Sequence, residues 1–225
     1  MSGLKQFYRN MTRNHSLVMT GNAYDRLPVL EIESHMTKMQ YGNFILTDAI
    51  RPSYDLMVVP RQGYQKSFYK NPCGDSVPVI IASVSAENIF ETFLDLLAPV
   101  GDVVDVVLET SHRHGGGEHK DLCREQIDLS ILKSFLCHYE EILLNDGCTG
   151  LAVLNPETET EVQFDEHKLF YAYSPRLSSF EQILKRHNVR RSDKMRFLTE
   201  SEHIHTTRDA YLYRFKELKN TLGID

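Results

Sequence analysis

The feature that most constrains the fold is a continuous apolar run, VPVIIASVS at residues 77–85, which is rich in β-branched side chains. Such a run is typical of a strand covered on both faces, because a solvent-exposed face would show alternating polar residues. A helical pattern, AENIFETFLDLLAPV, follows directly, and Ser85 is placed to cap its first turn. Pro99 and Gly101 predict its end, and DVVDVVLETS at residues 102–111 predicts the next strand. The segment therefore predicts a β-α-β unit, whose crossover makes the two strands parallel.

The remaining C-terminal patterns extend this unit into a larger sheet. We predict a helix at 129–146, strands at 149–155 and 160–173 joined as a hairpin, a helix from Ser178, a strand at 195–200 and a helix after Thr206. The order from residue 76 onwards is then β-α-β-α-β-β-α-β-α. We expect a mixed β-sheet flanked by helices, in the α+β or α/β class.

The N-terminal third carries weaker patterns. Short strand-like runs at 27–33, 44–50 and 55–60 are separated by turn-forming residues. We therefore divide the chain into a weakly patterned, β-rich N-terminal region at 1–75 and a mixed-sheet domain at 76–225. The N-terminal region either extends the sheet or forms a small subdomain.

Charge and cysteine content exclude several classes of protein. The 225-residue chain has 25 basic and 31 acidic side chains, a net charge of −6, which disfavours general binding to nucleic acid. Its longest apolar stretches are too short to span a bilayer, so no membrane partner is expected. Its four cysteines form no C-x-x-C pair, which suits a reducing compartment. The N-terminus has no apolar core of a secretory signal, and we expect a cytoplasmic protein.

The segment SHRHGGGEH at 111–119 is a candidate metal site at the end of the second strand. His112 and His114 lie two positions apart, so on an extended chain their imidazoles share one face, and Glu118 or His119 would return across the glycine turn. Histidines with one carboxylate suit zinc or another divalent transition metal, and an open coordination position would allow hydrolysis. The competing interpretation is an exposed polar loop, because glycines and polar residues are common after any strand.

A second His-x-His pair, His203 and His205, precedes the last helix. If it met the first segment, the two would form a four-histidine cluster. Two other interpretations of the glycine run are weaker. An oxyanion hole needs a G-x-S-x-G nucleophile turn, and a nucleotide loop needs G-x-x-x-x-G-K-S/T, and the sequence contains neither.

A basic segment is the other candidate site. Anion-binding candidates there are Lys185, Arg186, Arg190 and Arg191. The alternative is a solvated helix end that pairs with acidic segments of the same chain, such as ETETE at 157–161.

No complete catalytic motif is present, so the sequence leaves open whether the protein is an enzyme. We expect a non-catalytic, ligand-binding or protein-binding regulatory module, and the aromatic-rich N-terminal third is a candidate homodimer interface. A metal-dependent hydrolase centred on SHRHGGGEH is the first alternative. Anion or nucleic-acid binding through residues 185–196 is the second.

Overall fold

The computed structural model describes residues 28–70, 74–112 and 120–224. The helices are α1 (Val29–Met36), α2 (Ala86–Leu96), α3 (Leu129–His138), α4 (Glu140–Asn145), α5 (Ser178–Arg186) and α6 (Asp209–Thr221). The strands are β1 (Gln40–Tyr41), β2 (Phe44–Ile45), β3 (Ile50–Pro52), β4 (Gly63–Lys70), β5 (Ser76–Ser83), β6 (Val103–Thr110), β7 (Lys120–Asp128), β8 (Thr149–Asn155), β9 (Thr160–Phe164), β10 (Leu169–Tyr173) and β11 (His203–His205). Single 3-10 turns lie at Ala98–Val100 and Leu198–Glu200.

Seven strands form the central sheet in the order β4-β5-β10-β9-β8-β6-β7. Each of these strands is antiparallel to its neighbours. Two small sheets, β1-β2 and β11-β3, stand beside it. A large sheet combined with helices confirms the predicted α+β architecture.

The predicted β-α-β unit places β5 and β6 in one sheet, but the two strands are not neighbours. The meander β8-β9-β10 is inserted between them, so α2 crosses three strands before the chain enters β6. β5 and β6 still run in the same direction, because four antiparallel steps separate them. The apolar run in β5 reflects coverage on both faces: Ile80 packs in the main core, while Val79 packs with Met195 and Phe197.

The helices pack on one face of the sheet and form the main core with it. Phe93 of α2 is fully buried, and its ring lies 5.0 Å from that of Phe164 on β9 and 5.9 Å from that of Phe170 on β10. This arrangement confirms the predicted burial of α2. Ser85 precedes the helix, but its hydroxyl accepts a hydrogen bond from the backbone N–H of Ile45 instead of capping the first turn.

Several local predictions differ from the structure. The strand expected at 27–33 overlaps α1, and the strand expected at 195–200 contains a 3-10 turn. The run at 160–173 is two strands, because the chain turns at 165–168, where Lys168 adopts a left-handed conformation with φ of 61°. β4 was not predicted, and it pairs along its whole length with β5.

In the three ranges that the structure describes, no helix has the length and apolar character required to cross a membrane.

Candidate functional site

The candidate site lies at one end of the central sheet, where several of its strands begin or finish. Thr110 at the end of β6 is opposite Thr149 at the start of β8, and Leu151 of β8 is opposite Phe164 at the end of β9. The segments that follow β6, precede β8 and connect β9 to β10 therefore meet at this end of the sheet. β11 lies beside this end of the sheet. The N–H of Gly147, which precedes β8, donates to the carbonyl of Thr206, which follows β11, at 2.8 Å.

Three imidazoles converge at this end of the sheet: His167 in the β9–β10 turn, and His203 and His205 on β11. Their ring centroids lie 4.6–5.1 Å apart, and one potential ligand atom from each lies within 4.8 Å of the other two. His203 and His205 share one face of β11, as residues two apart on a strand do. All three rings are half-buried. We call these residues the histidine trio.

Each ring of the histidine trio is held by a hydrogen bond at Nδ1. His167 contacts the carboxylate of Asp165 at 2.8 Å, His203 the carbonyl of Ser201 at 2.8 Å, and His205 the carbonyl of Gly147 at 2.7 Å. A carbonyl can only accept, so Nδ1 of His203 and His205 carries the proton. In a neutral ring of this tautomer, Nε2 presents its lone pair.

The protonation equilibria of the trio are strongly perturbed. Burial and the neighbouring His167 and His203 lower the pKa of His205 to about 3, and burial with His167 also lowers the pKa of His203. Burial opposes protonation of His167, but the Asp165 carboxylate outweighs it and raises that pKa. Burial alone would raise the pKa of Asp165, but His167 and the N–H of Leu169 lower it. His203 and His205 are thus neutral at pH 7, the form in which imidazole binds a metal.

A second group lies beside the trio and contains His112, Asp146 and Cys148. Nε2 of His112 is 2.6 Å from Oδ2 of Asp146, and one potential ligand atom from each of the three residues lies within 4.8 Å of the others. Asp146 is fully buried. Gly147 joins the two groups, because its neighbours Asp146 and Cys148 belong to the His112 group while its own carbonyl holds His205.

The predicted site residues are therefore only partly accounted for. The structure brings His203 and His205 together with His167, and it places His112 against Asp146. His114, Glu118 and His119 lie outside the described residues. Within the described ranges, His112 belongs to a different group from His203 and His205, so they form no single cluster.

Two further titratable side chains border the site. Lys168 donates to the carbonyl of Thr149 at 2.9 Å, and burial lowers its pKa to about 8 although Asp146 and Asp165 favour the charged amine. Burial raises the pKa of Glu109 on β6 to about 8, helped by carboxylates on adjacent segments: Asp121, Asp165, Glu161 and Glu166.

The four basic anion-binding candidates are all exposed: Lys185, Arg186, Arg190 and Arg191. Arg186 lies 3.8 Å from Asp95, and Arg191 lies 2.8 Å from Asp193. The acidic partners of Arg186 and Arg191 in the described ranges are therefore in α2 and in the local loop.

The residues that sequence analysis missed are His167, Asp165, Asp146 and Cys148. A signal existed for two of them, since Asp165-Glu166-His167 ends an apolar strand in the same way as the segment after β6. No protein-family model, curated protein or solved structure matches this sequence.

Proposed function

We propose that this protein binds a divalent transition-metal ion through Nε2 of His167, His203 and His205. The observation that carries the proposal is the set of Nδ1 hydrogen bonds to Asp165, Ser201 and Gly147. Metal-binding histidines characteristically donate their second ring N–H to a carboxylate or a backbone carbonyl, which fixes both the tautomer and the ring orientation. All three rings of the trio satisfy this condition.

The ligand type favours zinc, which binds neutral imidazole at about 2.0–2.1 Å. Three protein ligands leave a fourth position for water, and this is the pattern of catalytic rather than structural zinc sites. A zinc-bound water is acidic enough to supply hydroxide near neutral pH. A metal-dependent hydrolase is therefore the activity that this arrangement supports best, and the ion is proposed at the trio rather than at SHRHGGGEH.

Metal binding is tested first by isothermal titration of chelator-treated protein with zinc. Wild-type protein is expected to bind one equivalent, and His205→Gln is expected to lose at least about 100-fold in affinity, because one ligand and its orienting hydrogen bond to Gly147 disappear together. His138→Ala is the matched control, since that histidine is exposed on α3 and outside the trio. Circular dichroism serves to check that each variant is folded.

Equal zinc affinity in wild-type protein, His205→Gln and His138→Ala would contradict the proposed site. Hydrolysis is tested separately with bis(p-nitrophenyl) phosphate, with and without zinc. Stoichiometric binding at the trio without hydrolysis would favour a metal-binding regulatory module, the non-catalytic function expected from the sequence. A cytoplasmic location is part of the same proposal and is supported by the cysteine pattern.

A further inference from the structure

The His112 group has a chemistry that the proposed metal site does not use. Asp146 accepts hydrogen bonds from Nε2 of His112 at 2.6 Å, from the hydroxyl of Thr149 at 2.5 Å and from the backbone N–H of Cys148 at 3.2 Å. The hydroxyl of Thr207 is a further donor to it. A carboxylate offers about four lone-pair positions. Asp146 is therefore saturated by protein donors, so this group is a poor site for a second metal ion.

The same hydrogen bonds determine the tautomer of His112. Burial alone would raise the pKa of Asp146, but the bonds from His112, Thr149 and Thr207 lower it, so this residue is a carboxylate. A carboxylate only accepts, which places the shared proton on Nε2 of His112. In the neutral ring, Nδ1 is then the basic nitrogen.

Cys148 is the nucleophilic side chain of the group. It is half-buried, and it contacts the hydroxyls of Ser111 and Thr207. Burial raises the pKa of this thiol, and the nearby carboxylates of Asp146 and Glu166 add to the effect. A thiol that keeps its proton at neutral pH reacts only if a base removes that proton during the attack.

We infer that Cys148 is a catalytic nucleophile for acyl transfer, with His112 as its general base and Asp146 as the positioning residue that orients the imidazole. One potential ligand atom from each of the three residues lies within 4.8 Å of the other two, and His112 is held against Asp146 at 2.6 Å. The group thus combines the thiol, the imidazole and the orienting carboxylate that activated thiols require. The substrate class is an activated carboxylic ester or thioester. This inference goes beyond the metal site and is independent of it.

The reaction balances without an added oxidant or reductant. Nδ1 of His112 takes the thiol proton as sulfur forms a bond to the carbonyl carbon. The bond from that carbon to the leaving oxygen or sulfur breaks, and the imidazolium returns the proton to the leaving group. Water then hydrolyses the thioester, releasing the acid and regenerating the thiol.

The probe is p-nitrophenyl acetate, mixed with the 225-residue chain in the presence of a metal chelator. Wild-type protein is expected to release a burst of p-nitrophenolate approaching one equivalent, with one acetyl group on the peptide that contains Cys148. Cys148→Ala is expected to lose both signals. Cys137→Ala is the control, because that thiol is exposed on α3. His112→Gln is expected to slow the burst by at least about 100-fold, the usual contribution of a general base.

Asp146→Asn tests the positioning role through the tautomer of the ring. An amide can donate to His112 as well as accept from it, so the ring is no longer held with its proton on Nε2. The burst rate is expected to fall by at least about 100-fold while the burst amplitude stays near one equivalent, which a disrupted Cys148 site would not give. If wild-type protein is not acetylated at Cys148, or if His112→Gln is acetylated at the wild-type rate while folded, the inference is overturned. A burst that needs zinc would equally overturn it, whereas loss of zinc binding alone would contradict only the proposed metal function.

Discussion

Replacing Gly147 by alanine is expected to disturb the metal site through the backbone. A Cβ added at this position would lie 2.3 Å from the carbonyl oxygen of Ala49 and 2.9 Å from that of Thr206. Ordinary contacts begin near 3.4 Å, so the backbone must move by about 1 Å. That movement acts on the carbonyl that holds Nδ1 of His205 and on the 2.8 Å hydrogen bond from the Gly147 N–H to Thr206.

The expected loss of stability follows from these contacts. Overpacking of a tight site costs about 1–3 kcal/mol, and a weakened hydrogen bond adds about 1 kcal/mol. The sum of about 2–4 kcal/mol corresponds to a fall in melting temperature of roughly 5–15 °C for a chain of this size. Zinc affinity is expected to fall by about 10–100-fold, the usual effect of losing the hydrogen-bond acceptor that orients a ligand histidine.

Thermal denaturation followed by circular dichroism gives the first quantity, and calorimetric titration with zinc gives the second. Gly42→Ala is the control. Gly42 has a φ of +60° and no atom within 4 Å of an added Cβ, so its replacement costs about 1 kcal/mol through backbone strain alone. Gly42→Ala should leave zinc affinity unchanged. The reasoning is refuted if Gly147→Ala binds zinc as tightly as Gly42→Ala does.

Three further predictions concern other parts of the molecule. Asp165→Asn keeps an oxygen acceptor for the N–H of Leu169 but loses the charge facing His167, so zinc affinity should fall about 10–100-fold by titration with little change in fold. Glu109 has a pKa raised from 4.5 to about 8, so between these two pH values the folded protein holds a proton that the unfolded chain releases. The free energy of unfolding therefore falls with rising pH, by about 1.4 kcal/mol per pH unit in this range. Glu109→Gln should remove this dependence in urea denaturation between pH 5 and about 8, and an unchanged slope would exclude Glu109 as its source. Phe93→Ala should lower the free energy of unfolding by about 3–5 kcal/mol, because the ring is fully buried against Phe164 and Phe170; a loss below about 1 kcal/mol would contradict this packing.

The class of the fold could be predicted because burial leaves a direct mark on sequence. The β5 run and the apolar stripe of α2 both record contact with a core, and both elements are present. Strand order left no such mark. A strand covered on both faces has the same composition whether its neighbours are parallel or antiparallel, and β5 is covered by helices on one face and by Met195 and Phe197 on the other.

The candidate site shows the same limit at closer range. Strand alternation was sufficient to place His203 and His205 on one face. Their meeting with His167 depends on the pairing of β11 with β3, between residues about 150 positions apart, and on a tight turn after β9. Contacts over such separations are determined by the assembled fold, so local spacing could not reveal them.

The tripeptide Asp146–Cys148 connects the two candidate sites. Asp146 and Cys148 each place a side-chain atom within 4.8 Å of a ring nitrogen of His112, while the intervening carbonyl of Gly147 contacts His205, as alternation along an extended chain allows. Gly147→Ala should therefore slow acetylation of Cys148 as well as weaken zinc binding. Cys148→Ala should abolish only acetylation, and His205→Gln should weaken only zinc binding. This pattern distinguishes a shared backbone support from a single site in which thiol and metal act together, because a single site would make each of these two side-chain variants lower both quantities.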